Sequence, residues 1–239
     1  NLRAYNLEST LGVSSGFPYG NVPGYSMANV YANENLTPEF VKSYEAGVQL
    51  GFLQNRVNFD ATYAYSKADG QIVNISTSTA IGYSTAFVNA GQVDNKVVEL
   101  SLRTTPVRTA DWNWEVGLNY TNYKSEVVDL YQGVTEVDLG GYGNAAYVYA
   151  IKGQPYPMIK TTAYERDPQG RIVVNGTTGN PVRSATMQIQ GQTTPDQTWG
   201  LNTRLRYKGV TLAAQLDYRT GNVFYNYLGR NMDFTGLSA

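Results

Sequence analysis

Apolar and polar residues alternate one by one along this chain, in runs that leave few architectures open. From Val57 the odd positions read Val57, Phe59, Ala61, Tyr63 and Tyr65, against Asn58, Asp60, Thr62, Ala64 and Ser66. Successive side chains of a strand point to opposite faces, so period two places these sets on opposite faces. The pattern returns at Trp112, Trp114, Val116, Leu118 and Tyr120 against Asn113, Glu115, Gly117, Asn119 and Thr121. It appears again at Trp199, Leu201, Thr203, Leu205 and Tyr207, and then at Val210, Leu212, Ala214, Leu216 and Tyr218. A fifth run sets Lys42, Tyr44, Ala46, Val48, Leu50 and Phe52 against Val41, Ser43, Glu45, Gly47, Gln49 and Gly51, with both ends mixed. Val98, Leu100 and Leu102, opposite Glu99, Ser101 and Arg103, form a shorter sixth.

The fold class is therefore all-β, and two antiparallel architectures use such strands. A secreted β-sandwich buries one face of each sheet against a core. A transmembrane β-barrel turns the apolar face to lipid and the polar face to its interior. Strand length favours the barrel, because nine residues tilted by roughly 45° cross about 21 Å of an apolar band about 25 Å tall. Sandwich strands centre near six residues. Connections alternate too: Gln54-Asn55 and Lys208-Gly209 are tight, whereas Asn74 to Gly91, Gln132 to Asn144 and Asp167 to Asp196 are long and polar. Short turns on one rim and long loops on the other are the asymmetry of an outer-membrane barrel. Trp112, Trp114, Trp199, Tyr207 and Tyr218 lie near strand ends, where an aromatic girdle would sit.

Composition narrows the chemistry. The chain has neither Cys nor His, which removes thiol nucleophiles, disulfides, histidine metal sites and Ser-His-Asp triads together. Charged residues make up 15%, below the roughly 25% usual in soluble domains. A formal net charge of −1 with scattered basic residues argues against nucleic acid as a partner. Catalytic, cofactor-binding and metal-binding residues are all expected to be absent. Asp129, Glu136 and Asp138 match no calcium loop.

Several stretches do more than alternate. Asn33-Glu34-Asn35-Leu36-Thr37-Pro38-Glu39 followed by Ser43-Tyr44-Glu45-Ala46-Gly47 resembles the Asn-Pro-x-Leu-x-Pro-Glu…Tyr-Glu-x-Gly signature of TonB-dependent receptors. Asn89-Ala90-Gly91-Gln92-Val93-Asp94-Asn95-Lys96-Val97-Val98-Glu99-Leu100 resembles a second barrel segment of that family, with Val97 where glycine usually lies. Gly153-Gln154-Pro155-Tyr156-Pro157, Tyr164-Glu165-Arg166-Asp167-Pro168, Thr194-Pro195-Asp196-Gln197-Thr198-Trp199-Gly200-Leu201 and Gly229-Arg230-Asn231-Met232-Asp233-Phe234 follow in order. Their colinearity from Asn33 to Ala239 resembles the later barrel strands of SusC/RagA-type transporters, the Bacteroidota branch.

The resemblance implies a portion, residues 1–239, of a barrel of about 22 strands, without its amino-terminal plug and its closing strands. It implies TonB-dependent import of a large nutrient, glycan or peptide, across the bacterial outer membrane. Implied partners are a SusD-like surface lipoprotein over the opening, TonB with ExbB and ExbD acting through the plug, and outer-membrane lipid. A passive porin and a secreted β-sandwich adhesin are the alternatives. Glu45, Asp60, Glu115, Arg204, Arg206 and Asp217 belong to the polar set; they either bond the plug or substrate or hydrate an aqueous wall. Tyr142, Tyr147 and Tyr149, in or beside a long loop, either stack on a ligand or serve loop packing.

Overall fold

The computed structural model of the chain describes residues 8, 10–89, 91–142 and 145–237, so Ala90, Asn144 and Ala239 of the stretches above lie outside the described residues. The strands are, in chain order, β1 (Leu11–Val13), β2 (Tyr25–Met27), β3 (Val30–Tyr31), β4 (Phe40–Phe52) and β5 (Val57–Asp69). Then come β6 (Ile72–Ser76), β7 (Thr85–Asn89), β8 (Gln92–Arg108), β9 (Trp112–Asp129) and β10 (Glu136–Tyr142). β11 (Ala146–Ile151), β12 (Met158–Thr161), β13 (Gln188–Gln192), β14 (Gln197–Tyr207) and β15 (Val210–Thr220) complete the set, followed by helix α1 (Tyr227–Thr235).

The six long strands form one antiparallel sheet in the order β15-β14-β9-β8-β5-β4. Every neighbour in it is also a neighbour in the chain once the two long connections are set aside. Register keeps the alternation in phase across all six strands. One row reads Leu50, Phe59, Leu102, Leu118, Leu201 and Leu216; the next reads Val48, Ala61, Leu100, Tyr120, Trp199 and Tyr218. On the other face, one row reads Gln49, Asp60, Ser101, Asn119, Gly200 and Asp217. A one-residue slip anywhere would exchange the faces, so the pattern itself fixes the register. The apolar face stands open: Leu118 is 45% exposed, Leu212 68% and Leu216 62%. A β-sandwich would cover such residues with a second sheet.

Three short reversals lie on one rim. Leu53–Arg56 joins β4 to β5, with Leu53, Gln54 and Asn55 all at positive φ, so the reversal is wider than Gln54-Asn55 alone suggests. Thr109–Asp111 joins β8 to β9, and Lys208-Gly209 joins β14 to β15. β8 runs far beyond Val98–Leu102, because its phase is masked at both ends. Toward the turn rim a bulge between Thr104 and Val107 accommodates Pro106, which cannot donate to the ladder.

Toward the other rim the polar face changes character. Val41, Ala68, Val93 and Val127 continue the rows of Glu45 and Asp60 on the same face, yet are apolar. The long connections fold onto them there. Val93, Val127, Leu130, Val137 and Ala150 make a small buried core, with Val73, Val134 and Tyr156 packed against it. The connections thus carry sheets of their own: β6 and β7, joined by β3 from ahead of β4, and β10-β11-β12-β13. Residues 153–156 also pair with the end of β9, Val127 N–H donating to the Gln154 carbonyl at 3.0 Å and Tyr156 N–H to the Ser125 carbonyl at 3.3 Å. Between β12 and β13 a ladder of isolated pairs, Tyr164 with Arg183, Arg166 with Ile172 and Val174 with Pro181, builds a protruding arm. Its base closes where Ser184 N–H donates to the Ala163 carbonyl at 2.8 Å.

Candidate functional site

Glu45, Asp60, Glu115, Arg204, Arg206 and Asp217 all fall on the polar face of the six-stranded sheet. The structure brings only three of them together. Near the turn rim Glu115, Arg204 and Arg206 surround a hollow of about 550 Å³ with Arg108, Asn113 and Thr211. Arg204 stands opposite Glu115 and Arg206 opposite Asn113 in register. Asn113 donates to the Glu115 carboxylate at 2.8 Å, so the side chains on this strand are tied along its length. Three guanidinium groups against one carboxylate leave this hollow electropositive.

Asp60 lies nearer the middle, 3.3 Å from the Arg103 guanidinium. Asp217 shares its row but sits four strands away, about 19 Å at the usual spacing between strands. Glu45 is placed toward the long connections, opposite Ala64. Arg103, Asn119 and Asn202 also belong to this face and could have been read from the alternation of their strands, whereas Arg108 reaches it only because the bulge between Thr104 and Val107 shifts the phase of β8.

On the apolar face the aromatic residues gather at two levels. Trp112 stacks on Tyr207 at 4.2 Å between ring centres, and Tyr120 on Trp199 at the same distance. Trp199 and Tyr207 are separated by eight positions of β14, about 26 Å along a strand. Trp114 stands between Val107 and Leu205 and donates its indole N–H to Thr203 Oγ1 at 2.9 Å. Tyr218 lies beside Trp199 in register.

Among the connections, Tyr142 closes β10, its side chain lying outside what is described. Tyr147 and Tyr149 share one face of β11, while Ala146 and Ala150 on its other face are buried. Lys160 Nζ sits 4.7 Å above the Tyr149 ring and donates to both Glu136 oxygens at 2.8 Å. Burial, and then the Asp138 and Glu136 carboxylates, push the Tyr149 hydroxyl above its ordinary pKa and hold it protonated. Asn74, Glu136, Asp138 and Tyr149 border a hollow of about 300 Å³. Asp129 is engaged by Lys152 at 2.6 Å.

The family described as TonB dependent receptor-like, beta-barrel, matches residues 4–237. SusC of Bacteroides thetaiotaomicron, a TonB-dependent receptor, is 26% identical over 92% of this chain and 24% of its own length. A TonB-dependent receptor of Formosa agariphila is 27% identical over 85% of this chain and 22% of its own length. The solved RagAB peptide transporter superposes with a TM-score of 0.69 at 20% identity, covering 91% of this chain and 25% of that one, a likeness of fold. The chain spans about a quarter of the length of these relatives. Their family is one of outer-membrane β-barrels that act as transporters and receptors rather than enzymes. With an all-β, mostly antiparallel, barrel-type fold and a family match over residues 4–237, the chain belongs to the TonB-dependent receptor-like β-barrel family.

Proposed function

We propose that this chain is part of the wall of an active importer in the bacterial outer membrane. The single observation that carries the reading is a sheet with two opposed, continuous faces, one open and apolar, the other polar across six strands. The apolar face meets lipid between its two aromatic levels, and the polar face lines the interior. Turning the strand of Arg204 and Arg206 the other way would put two guanidinium groups in lipid, each at a cost that reaches about 2–4 kcal/mol at the midplane and falls toward the rim where Arg206 sits. The long connections stand outside the cell and the short turns face the periplasm.

In this reading residues 1–239 form one portion of a barrel of about 22 strands, and the plug and the remaining strands belong to other parts of the protein. The electropositive hollow of Arg108, Arg204 and Arg206 meets the plug. A large nutrient, glycan or peptide, enters from the long-connection side beneath a SusD-like lipoprotein. TonB, driven through ExbB and ExbD, acts on the plug to open the path. The likeness to SusC and to the RagAB peptide transporter supports this assignment.

The test is nutrient uptake by cells carrying the full-length gene, by a deletion strain, and by a strain lacking TonB. Loss of uptake in both mutants is expected. Uptake that survives without TonB would make the protein a passive porin.

A further inference from the structure

Between the connection sheet and the segment after β15 lies a cleft of about 740 Å³, away from the turn-rim hollow. Ile159 and Thr161 of β12, with Thr162 and Gln190, form one side; Arg183 comes from the base of the arm, and Tyr225 and Arg230 from the segment after β15. That segment is seated by specific contacts. Gly221 turns the chain at φ +84°, and Val223 N–H donates to the Gln192 carbonyl at 2.8 Å. The Val223 side chain fits against Gly191, where a Cβ would lie 3.1 Å from its methyl group. Asn226 then caps α1 by accepting from Gly229 N–H at 2.9 Å, which places Arg230 in the first turn.

Two arginines from separate elements therefore border one cleft. No carboxylate is among the residues that line it. Among the described residues neither Arg183 nor Arg230 makes an ion pair. Such a pair is ready for a carboxylate, which a guanidinium binds through two parallel hydrogen bonds. Hydroxyl, carboxamide and aromatic groups from Thr161, Thr162, Gln190, Phe224 and Tyr225 line it beside three aliphatic residues. Those groups suit a ligand with many hydroxyls and apolar ring faces. A peptide adding as a strand would use the outer edge of β13, whose last carbonyl, that of Gln192, is already taken by Val223 N–H.

We propose that this cleft binds an acidic oligosaccharide, its carboxylate held between Arg183 and Arg230. The cargo role of that sugar rests on the importer reading above; the binding itself does not.

Full-length protein in detergent, titrated calorimetrically with tetragalacturonate, its methyl ester and tetraglutamate, tests this. Tetragalacturonate is expected to bind, with the methyl ester about tenfold weaker or more. The double variant R183Q/R230Q should weaken tetragalacturonate by a similar factor at an unchanged melting temperature. Absence of tetragalacturonate binding, equal binding by the double variant, or tighter binding of tetraglutamate would each overturn the proposal. Binding in detergent needs no TonB. TonB-independent uptake would therefore sink the importer reading while the cleft stands, and failed binding beside TonB-dependent uptake would do the reverse.

Discussion

At Asp167 one carboxylate organises the tip of the arm. It accepts from the backbone N–H of Arg171 at 2.9 Å and of Gln169 at 3.0 Å, and from the Arg171 guanidinium at 2.7 Å. The Arg171 backbone bond, followed by its side chain and the Gln169 backbone, holds this carboxyl below its usual pKa. A depressed folded pKa stabilises the turn above the unfolded value, and that contribution is lost as pH falls through the folded value. Amide exchange at Gln169 and Arg171, corrected for intrinsic rates, should therefore stay slow until pH drops below the ordinary aspartate value of about 3.9. D167N should remove that acid transition. A transition unchanged in D167N would show that another group controls the turn.

Within a strand, meaning lies in parity. Leu118 and Asn119 are neighbours in β9, yet one stands in the leucine row and the other in the row of Asp60 and Asp217. In the full-length protein folded into lipid, L118R should cost about 2–4 kcal/mol and N119R less than about 1 kcal/mol, measured by urea unfolding. Equal costs would mean that the two faces see the same solvent. This parity is what made the sheet readable without coordinates: Trp112 to Tyr120 and Trp199 to Tyr207 show it without interruption. It became obscure where a second partner arrives. Val93 and Val127 look out of phase because the connections cover the polar face there, and Lys96 and Asp94 occupy the apolar parity at the same height. The strands inside the connections were hidden for a related reason. β6, β7, β10 and β13 are short and draw their order from tertiary contacts, so most of their residues fall within stretches that read as long loops. The cleft of Arg183 and Arg230 was equally hidden, since 47 positions separate residues that only the fold brings together.

The whole molecule inverts the distribution of a water-soluble fold. Its widest sheet leaves leucines open, while among the described residues the buried core is a small set of aliphatic residues gathered where the connections fold onto the sheet's far end. The chain should accordingly stay dispersed in detergent and aggregate when detergent is withdrawn, as read by size-exclusion chromatography. A monodisperse species in plain buffer would mean that something other than lipid covers Leu118 and Leu216. The arm at residues 163–184 obeys a different logic. Its two ends meet at the Ala163–Ser184 hydrogen bond, so the chain leaves and re-enters the connection sheet at nearly one place. What lies between those ends is a cassette: its length and sequence can be rewritten, by selection or by an engineer inserting a label, without shifting the register of any strand beneath it.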